Sequence, residues 1–126
     1  MTQNVFPTFR YRDAPAAIRW LKETLGFEEL HVYGGEGGAI DHAELVIAGN
    51  VIMLGSDRSE HEGRAASAHT TTYVALDEVD SLPARAREVG GNPTELTEQD
   101  YGSRDFSLQD PEGNTWSFGT YRPQLD

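Results

Sequence analysis

The sequence contains no cysteine. That excludes disulfides, thiolate metal sites and a cysteine nucleophile. It is also poor in basic residues, with 10 Lys and Arg against 21 Asp and Glu, for a net charge of −11. A field of that sign repels phosphate backbones and anionic lipid surfaces, so neither nucleic acid nor membrane is an expected partner. It attracts cations, although acidity of this kind also simply aids solubility. No apolar run approaches the roughly 20 residues needed to span a bilayer. The start, MTQNVFPTFRYRD, lacks the basic-then-apolar pattern of an export signal, so a cytoplasmic location is the expectation.

What is present describes an ordinary globular chain. At 126 residues, 37% of them hydrophobic and 25% charged, it is long enough for one domain with a real core, expected over residues 1–126. Its punctuation repeats. Sliding the chain on itself by 64 positions places Asp13 on Asp77, Gly26 on Gly90, Gly38 on Gly102, Gly49-Asn50 on Gly113-Asn114, Gly55 on Gly119 and Arg58 on Arg122. Asp caps helices, and Gly closes them or supplies the positive φ of hairpin turns. Shared punctuation at one offset therefore points to a duplicated unit, with modules over 1–58 and 69–126 and a polar linker over 59–68.

Each half reads as strand, helix and three strands. VFPTFRY predicts a strand. Asp13 caps a helix with Pro15 in its first turn, Ile18, Leu21 and Leu25 on one face, and Gly26 at its end. A strand over 27–33, a GGEGG tip and a hairpin from 40–48 and 51–55 follow. The second half predicts a strand over 70–76, a helix from about Glu78 to Val89, and strands near 94–98, 104–108 and 115–121. The fold class is α+β, built as βαβββ twice.

YRDAPAAIRWLKETLGFEE, HAELVIAGNVIMLGSD and YGSRDFSLQDPEGNTWSFGTYRP resemble the vicinal oxygen chelate superfamily, the group of glyoxalases, bleomycin-resistance proteins and extradiol dioxygenases. The resemblance spans nearly the whole chain. It implies paired βαβββ modules whose mixed sheets curve around a shared central cavity, and commonly a homodimer. It does not imply one reaction, because isomerases, dioxygenases, thiol transferases and drug-sequestering proteins share the fold.

Metal-dependent members carry His and Glu on the first and last strands of each module. Projected here, those positions hold Phe6, Met53, Thr71 (or Thr70, with a slip of one) and Ser117, none of them a good ligand for a hard or borderline divalent cation. The expectation is a chain with no metal and no cofactor. A relocated site built from His42, Glu44 and His69 is the alternative. His31, on an expected edge strand, and His61, in the linker, are given no role.

Strand alternation then sorts the side chains. Phe9, Ile52, Leu54, Val74, Leu76, Trp116 and Phe118 are expected beneath the helices. Phe6, Thr8, Arg10, His42, Glu44, Met53, Thr71, Tyr73, Arg104, Phe106 and Ser117 are expected on the cavity side. Aromatics, an adaptable Met and a few polar anchors suit a small-molecule pocket, and the candidate ligand-binding set is Phe6, Arg10, His42, Glu44, Met53, Tyr73, Arg104, Phe106 and Ser117. Arg10 and Arg104 fit two roles, a clamp on a ligand carboxylate or internal ion pairs with Glu44 and Asp105. Trp116 fits the core or a pocket wall, and Tyr121 and Arg122 fit a pocket mouth or a dimer contact. No G-x-S-x-G elbow, phosphate loop, dinucleotide fingerprint or H-E-x-x-H occurs. Two functions follow as expectations: a metal-free small-molecule-binding protein that sequesters an organic ligand, the acidic surface suiting a cationic, antibiotic-like one, or a metal-dependent lyase, isomerase or ring-cleaving dioxygenase.

Overall fold

The computed structural model describes residues 3–57, 69–100 and 102–123. Arg58, His61 and the expected linker over 59–68 lie outside the described residues. The chain divides into two compact units, Met1–Ala68 and His69–Asp126. The first contains β1 (Thr8–Tyr11), α1 (Ala14–Leu25), β2 (Glu28–Gly34), a 3-10 turn at Glu36–Gly38, β3 (Ile40–Ile47) and β4 (Asn50–Ser56). The second contains β5 (Thr71–Ala75), α2 (Leu82–Glu88), β6 (Thr97–Glu98), β7 (Arg104–Gln109) and β8 (Thr115–Gly119). The sheets run β1-β4-β3-β2 and β5-β8-β7-β6, each with one parallel pair and two antiparallel pairs. Each unit is thus βαβββ with the same strand order.

The first helix forms where its caps place it. The Asp13 carboxylate accepts from the Ala16 N–H at 3.0 Å, satisfying a donor that the first helical turn leaves open. Gly26 ends the helix at φ 78, a left-handed conformation that costs a residue with a Cβ far more. Ala14, Ala17, Ile18, Leu21, Thr24 and Leu25 are buried, and α1 packs against β1 and β4.

The second helix is shorter than its sequence suggests. It starts at Leu82 rather than Glu78, because Pro83 lacks an N–H and its ring would collide with the carbonyl of Val79 in a longer helix. Residues 78–81 form a local turn instead, in which the Glu78 carboxylate accepts from the Asp80 N–H and, at 3.2 Å, from the Ser81 hydroxyl. Asp77 is therefore not a cap. Its carboxylate accepts from Arg122 at 3.0 Å.

The strand registers show that the two units are not offset by one constant. Thr8 pairs with Met53 and Tyr73 with Ser117, so Tyr73, 65 positions on, is the counterpart of Thr8. Glu44 pairs with Met53 and Ser107 with Ser117, so Ser107, 63 positions on, is the counterpart of Glu44. The turns explain the second shift. Ile47 pairs with Asn50 around the two-residue turn Ala48-Gly49, both at positive φ as that tight hairpin requires. Gln109 pairs with Thr115 around the longer loop 110–114.

A slip of one residue turns every side chain of a strand over. Phe106 consequently lies across from Phe118, with ring centroids 5.4 Å apart, and is buried. The alternation argument had placed Phe106 and Arg104 on the cavity side. The register puts both on the buried-face side of β7 and Asp105 and Ser107 on the open face, with Phe106 still bordering the cavity there. The other assignments to the buried face agree with the observed burial of Phe9, Ile52, Leu54, Val74, Trp116 and Phe118, while Leu76 is half-buried.

Candidate functional site

The open face of the second sheet carries a cavity of about 400 Å³, lined by Tyr73, Thr94, Thr97, Asp105, Phe106, Ser107, Ser117, Tyr121 and Pro123. Its floor follows from the pairing. Tyr73, Ser117 and Ser107 form one row across β5, β8 and β7. Gly119, Asp105 and Thr97 form the next, across β8, β7 and β6. Thr94 extends the edge beyond β6: its N–H donates to the Ser107 carbonyl at 2.8 Å, and its hydroxyl accepts from the Ser107 N–H at 2.9 Å.

Gly119 makes the second row open. A Cβ there would lie 2.7 Å from the Tyr73 hydroxyl and 3.0 Å from the Asp105 Cβ, closer than real side chains approach. With that space vacant, the Tyr73 phenol reaches past the strand and donates to the Tyr121 carbonyl at 2.7 Å. Asp105 accepts from the Gln99 amide at 2.9 Å. The cavity thus offers two phenol rings, several hydroxyls and one carboxylate, and no basic residue lines it among the described residues. Such a surface suits a planar organic molecule with polar edges.

Three residues of the sequence-derived set, Tyr73, Phe106 and Ser117, line this cavity. Arg104 does not: both its Nε and Nη2 donate to Asp80, at 3.1 and 2.9 Å. Of the remaining lining residues, Tyr121 is the one expected at a pocket mouth and Asp105 is expected only as an ion-pair partner of Arg104, while Thr94, Thr97, Ser107 and Pro123 carry no expectation. The signal for Asp105 and Ser107 was local. Phe106 and Leu108 are apolar at a spacing of two, which by itself assigns them to the core and their neighbours to the open face.

The other candidates lie in the first unit. Glu44 faces Met53, which faces Thr8, and His31 and Tyr33 pair with Glu44 and His42. His42 Nε2 contacts Glu44 Oε2 at 2.9 Å, and the Tyr33 ring stacks between His31 and His42 at centroid distances of 6.0 and 6.2 Å. Phe6 is exposed. Arg10 lies over Gly55, close to where its Cβ would be, and makes no ion pair among the described residues.

A divalent cation does not fit the positions where the sequence resemblance places ligands. The register makes Thr71 the counterpart of Phe6, and with Met53 and Ser117 these side chains offer neither imidazole nor carboxylate. Among the described residues no group of three or more His, Asp or Glu is assembled to hold a metal ion.

The DPEGN-x-W stretch is occupied with holding the second hairpin. Asp110 Oδ1 accepts from the backbone N–H groups of Glu112 and Asn114, both at 3.0 Å, and Oδ2 accepts from Trp116 Nε1 at 3.2 Å. The Asn114 side-chain oxygen in turn accepts from the N–H and hydroxyl of Thr70, both at 3.1 Å. Trp116 is fully buried, which assigns it to the core.

A model of the Glyoxalase/Bleomycin resistance protein/Dioxygenase superfamily matches residues 5–118. An uncharacterized protein of Mycobacterium tuberculosis (strain H37Rv) is 30% identical over 115 residues, which are 85% of this chain and 68% of that protein. Among solved structures, TioX from Micromonospora sp. ML1 aligns with a TM-score of 0.80 at 23% identity, covering 96% of this chain and 100% of its own. TnmS3, an antibiotic binding protein from Streptomyces sp. CB03234, aligns with a TM-score of 0.69 at 20% identity, covering 94% and 96% respectively.

Proposed function

The chain belongs to the glyoxalase/bleomycin resistance protein/dioxygenase superfamily, and within it we propose a metal-free small-molecule-binding protein that sequesters an organic, antibiotic-like ligand in the cavity of its second unit. The carrying observation is that cavity of about 400 Å³, walled by tyrosines and hydroxyls. Sequestration needs shape, apolar walls and a few polar anchors, and it needs no reacting group. The fold similarity to an antibiotic binding protein supports the same reading. The net charge of −11 favours a cationic ligand. The proposal further includes a cytoplasmic homodimer that binds neither nucleic acid nor membrane; no described helix is long and apolar enough to cross one.

Thermal-shift screening of the purified protein against a library of antibiotics and other planar organic molecules tests this. Stabilisation by members of one chemical class, with one ligand per chain and no turnover on prolonged incubation, is the expected result. Chemical conversion of the bound compound would overturn sequestration. The competing reading, a metal-dependent lyase, isomerase or ring-cleaving dioxygenase with a relocated site, draws on the His42–Glu44 contact of 2.9 Å.

A further inference from the structure

Resting on the cavity as the ligand site, we infer that Asp105 selects the ligand class: a planar molecule with a positively charged nitrogen, its charge on the Asp105 carboxylate and its rings against Tyr73 and Tyr121. Asp105 is half-buried and is the one carboxylate among the cavity's lining residues. Its partner among the described residues is the neutral Gln99 amide on Oδ1. A partly desolvated carboxylate is costly without a counter-charge, and none is paired with it among the described residues.

Three of the four arginines of this unit pair with carboxylates other than Asp105. Arg104 springs from the neighbouring position of the same strand but is turned to the opposite face, where it pairs with Asp80. Arg122 pairs with Asp77 and Arg87 with Glu95. Residues 69–126 carry eleven acidic and four basic side chains, so the wider field has the same sign as Asp105.

The rest of the cavity complements such a cation. The Tyr73 hydroxyl is tied to the Tyr121 carbonyl, which holds the ring in place at the cavity wall. Tyrosine faces attract cations, and aromatic faces attract planar rings. Ser107 and Ser117 stand opposite each other, and neither hydroxyl has a hydrogen bond among the described residues, so both are available to a ligand's polar edge.

Calorimetric titration of the full chain with two probes tests this: 9-aminoacridine, a cation at neutral pH, and acridine, neutral there. The variants are Asp105→Asn, which keeps an oxygen for Gln99 while removing the charge, and Ser117→Phe, which fills the cavity. Thr97→Phe, from the two-residue edge strand, is the second blocking variant should Ser117→Phe fail to fold. Wild type is expected to bind 9-aminoacridine roughly tenfold tighter than acridine, the scale of a hydrogen bond to a charged group. Asp105→Asn should bind both at the acridine affinity, and the blocking variants neither.

If wild type holds both probes equally, or Asp105→Asn keeps the preference, Asp105 is not the anchor although the cavity still binds. If Asp105→Asn loses acridine as well, Asp105 maintains the cavity's shape and the inference fails. If wild type binds neither probe, or the blocking variants bind as wild type does, the cavity is not the ligand site and the binding proposal falls too.

Discussion

The indole N–H of Trp116 donates to the carboxylate of Asp110 at 3.2 Å, with both residues buried. The same carboxylate receives the backbone N–H groups of Glu112 and Asn114, so one side chain ties the hairpin loop to the core. Asp110→Ala leaves four donors without this acceptor, the fourth being the Asn114 side-chain amide at 3.3 Å, and each unsatisfied buried donor costs about 1–3 kcal/mol. A loss of at least about 3 kcal/mol is expected in urea-induced unfolding. Asp110→Asn should lose less, since it keeps one oxygen. An Asp110→Ala protein within 1 kcal/mol of wild type, on the scale of ordinary surface changes, would show that the loop holds its shape without the carboxylate.

The two aspartates that coincide at an offset of 64 are expected to behave differently. Asp13 caps α1 through the Ala16 N–H, so Asp13→Ala should cost about 1 kcal/mol. Asp77 makes an exposed ion pair with Arg122, a kind of contact that contributes little, so Asp77→Ala should leave the unfolding midpoint unchanged. Equal losses at both positions would mean that the local turn at 78–81 depends on Asp77 in a way its contacts do not reveal.

Gly119 is a glycine because of its neighbours, whereas Gly34 has nothing within 4 Å of a built Cβ. Gly119→Ala should cost about 1–3 kcal/mol, as overpacking does. The same change should weaken ligand binding in the cavity by displacing Tyr73 and Asp105. Adding Tyr73→Phe should recover part of the stability, because the nearest clash is the phenol oxygen. Gly34→Ala serves as the control, with no loss expected in thermal unfolding. A Gly119→Ala protein as stable as the control would mean that Tyr73 swings away at no cost.

How far the sequence could be read depended on whether the signal was local. The caps Asp13 and Gly26 and the apolar stripe of α1 are set by neighbours within a few positions and lie where the residues suggest, while the first hairpin turns at Ala48-Gly49, one residue before the expected Gly49-Asn50. The twofold βαβββ order followed from the repeated glycines. Failures came from carrying one offset through both units. Strand pairing is set by loop length, and one extra residue in the second hairpin turned Arg104 away from the open face and placed Asp105 and Ser107 on it. The start of α2 was misplaced for a similar reason, since the weight given to Asp77 overrode the nearer signal of Pro83. The committed partners of Arg104 and the open carboxylate of Asp105 depend on contacts between distant segments, which no spacing rule encodes.

The metal question has the sharpest test. His42 and Glu44 are in contact at 2.9 Å on the open face of the first sheet, which makes two donors. Stable protein sites for zinc and its neighbours use three or four protein ligands. Phe6, Met53, Thr71 and Ser117 supply none of that chemistry at the positions where relatives would carry it. Elemental analysis after incubation with Zn, Ni, Fe and Mn, followed by desalting, is therefore expected to give a metal-to-chain ratio near zero. His42→Ala should leave that ratio and the acridine affinities unchanged, since the described residues that line the cavity all belong to the second unit. A ratio near one that His42→Ala or Glu44→Ala abolishes would mean that His42 and Glu44 recruit further ligands in solution. The sequestration reading would then give way to metal-assisted chemistry at a relocated site.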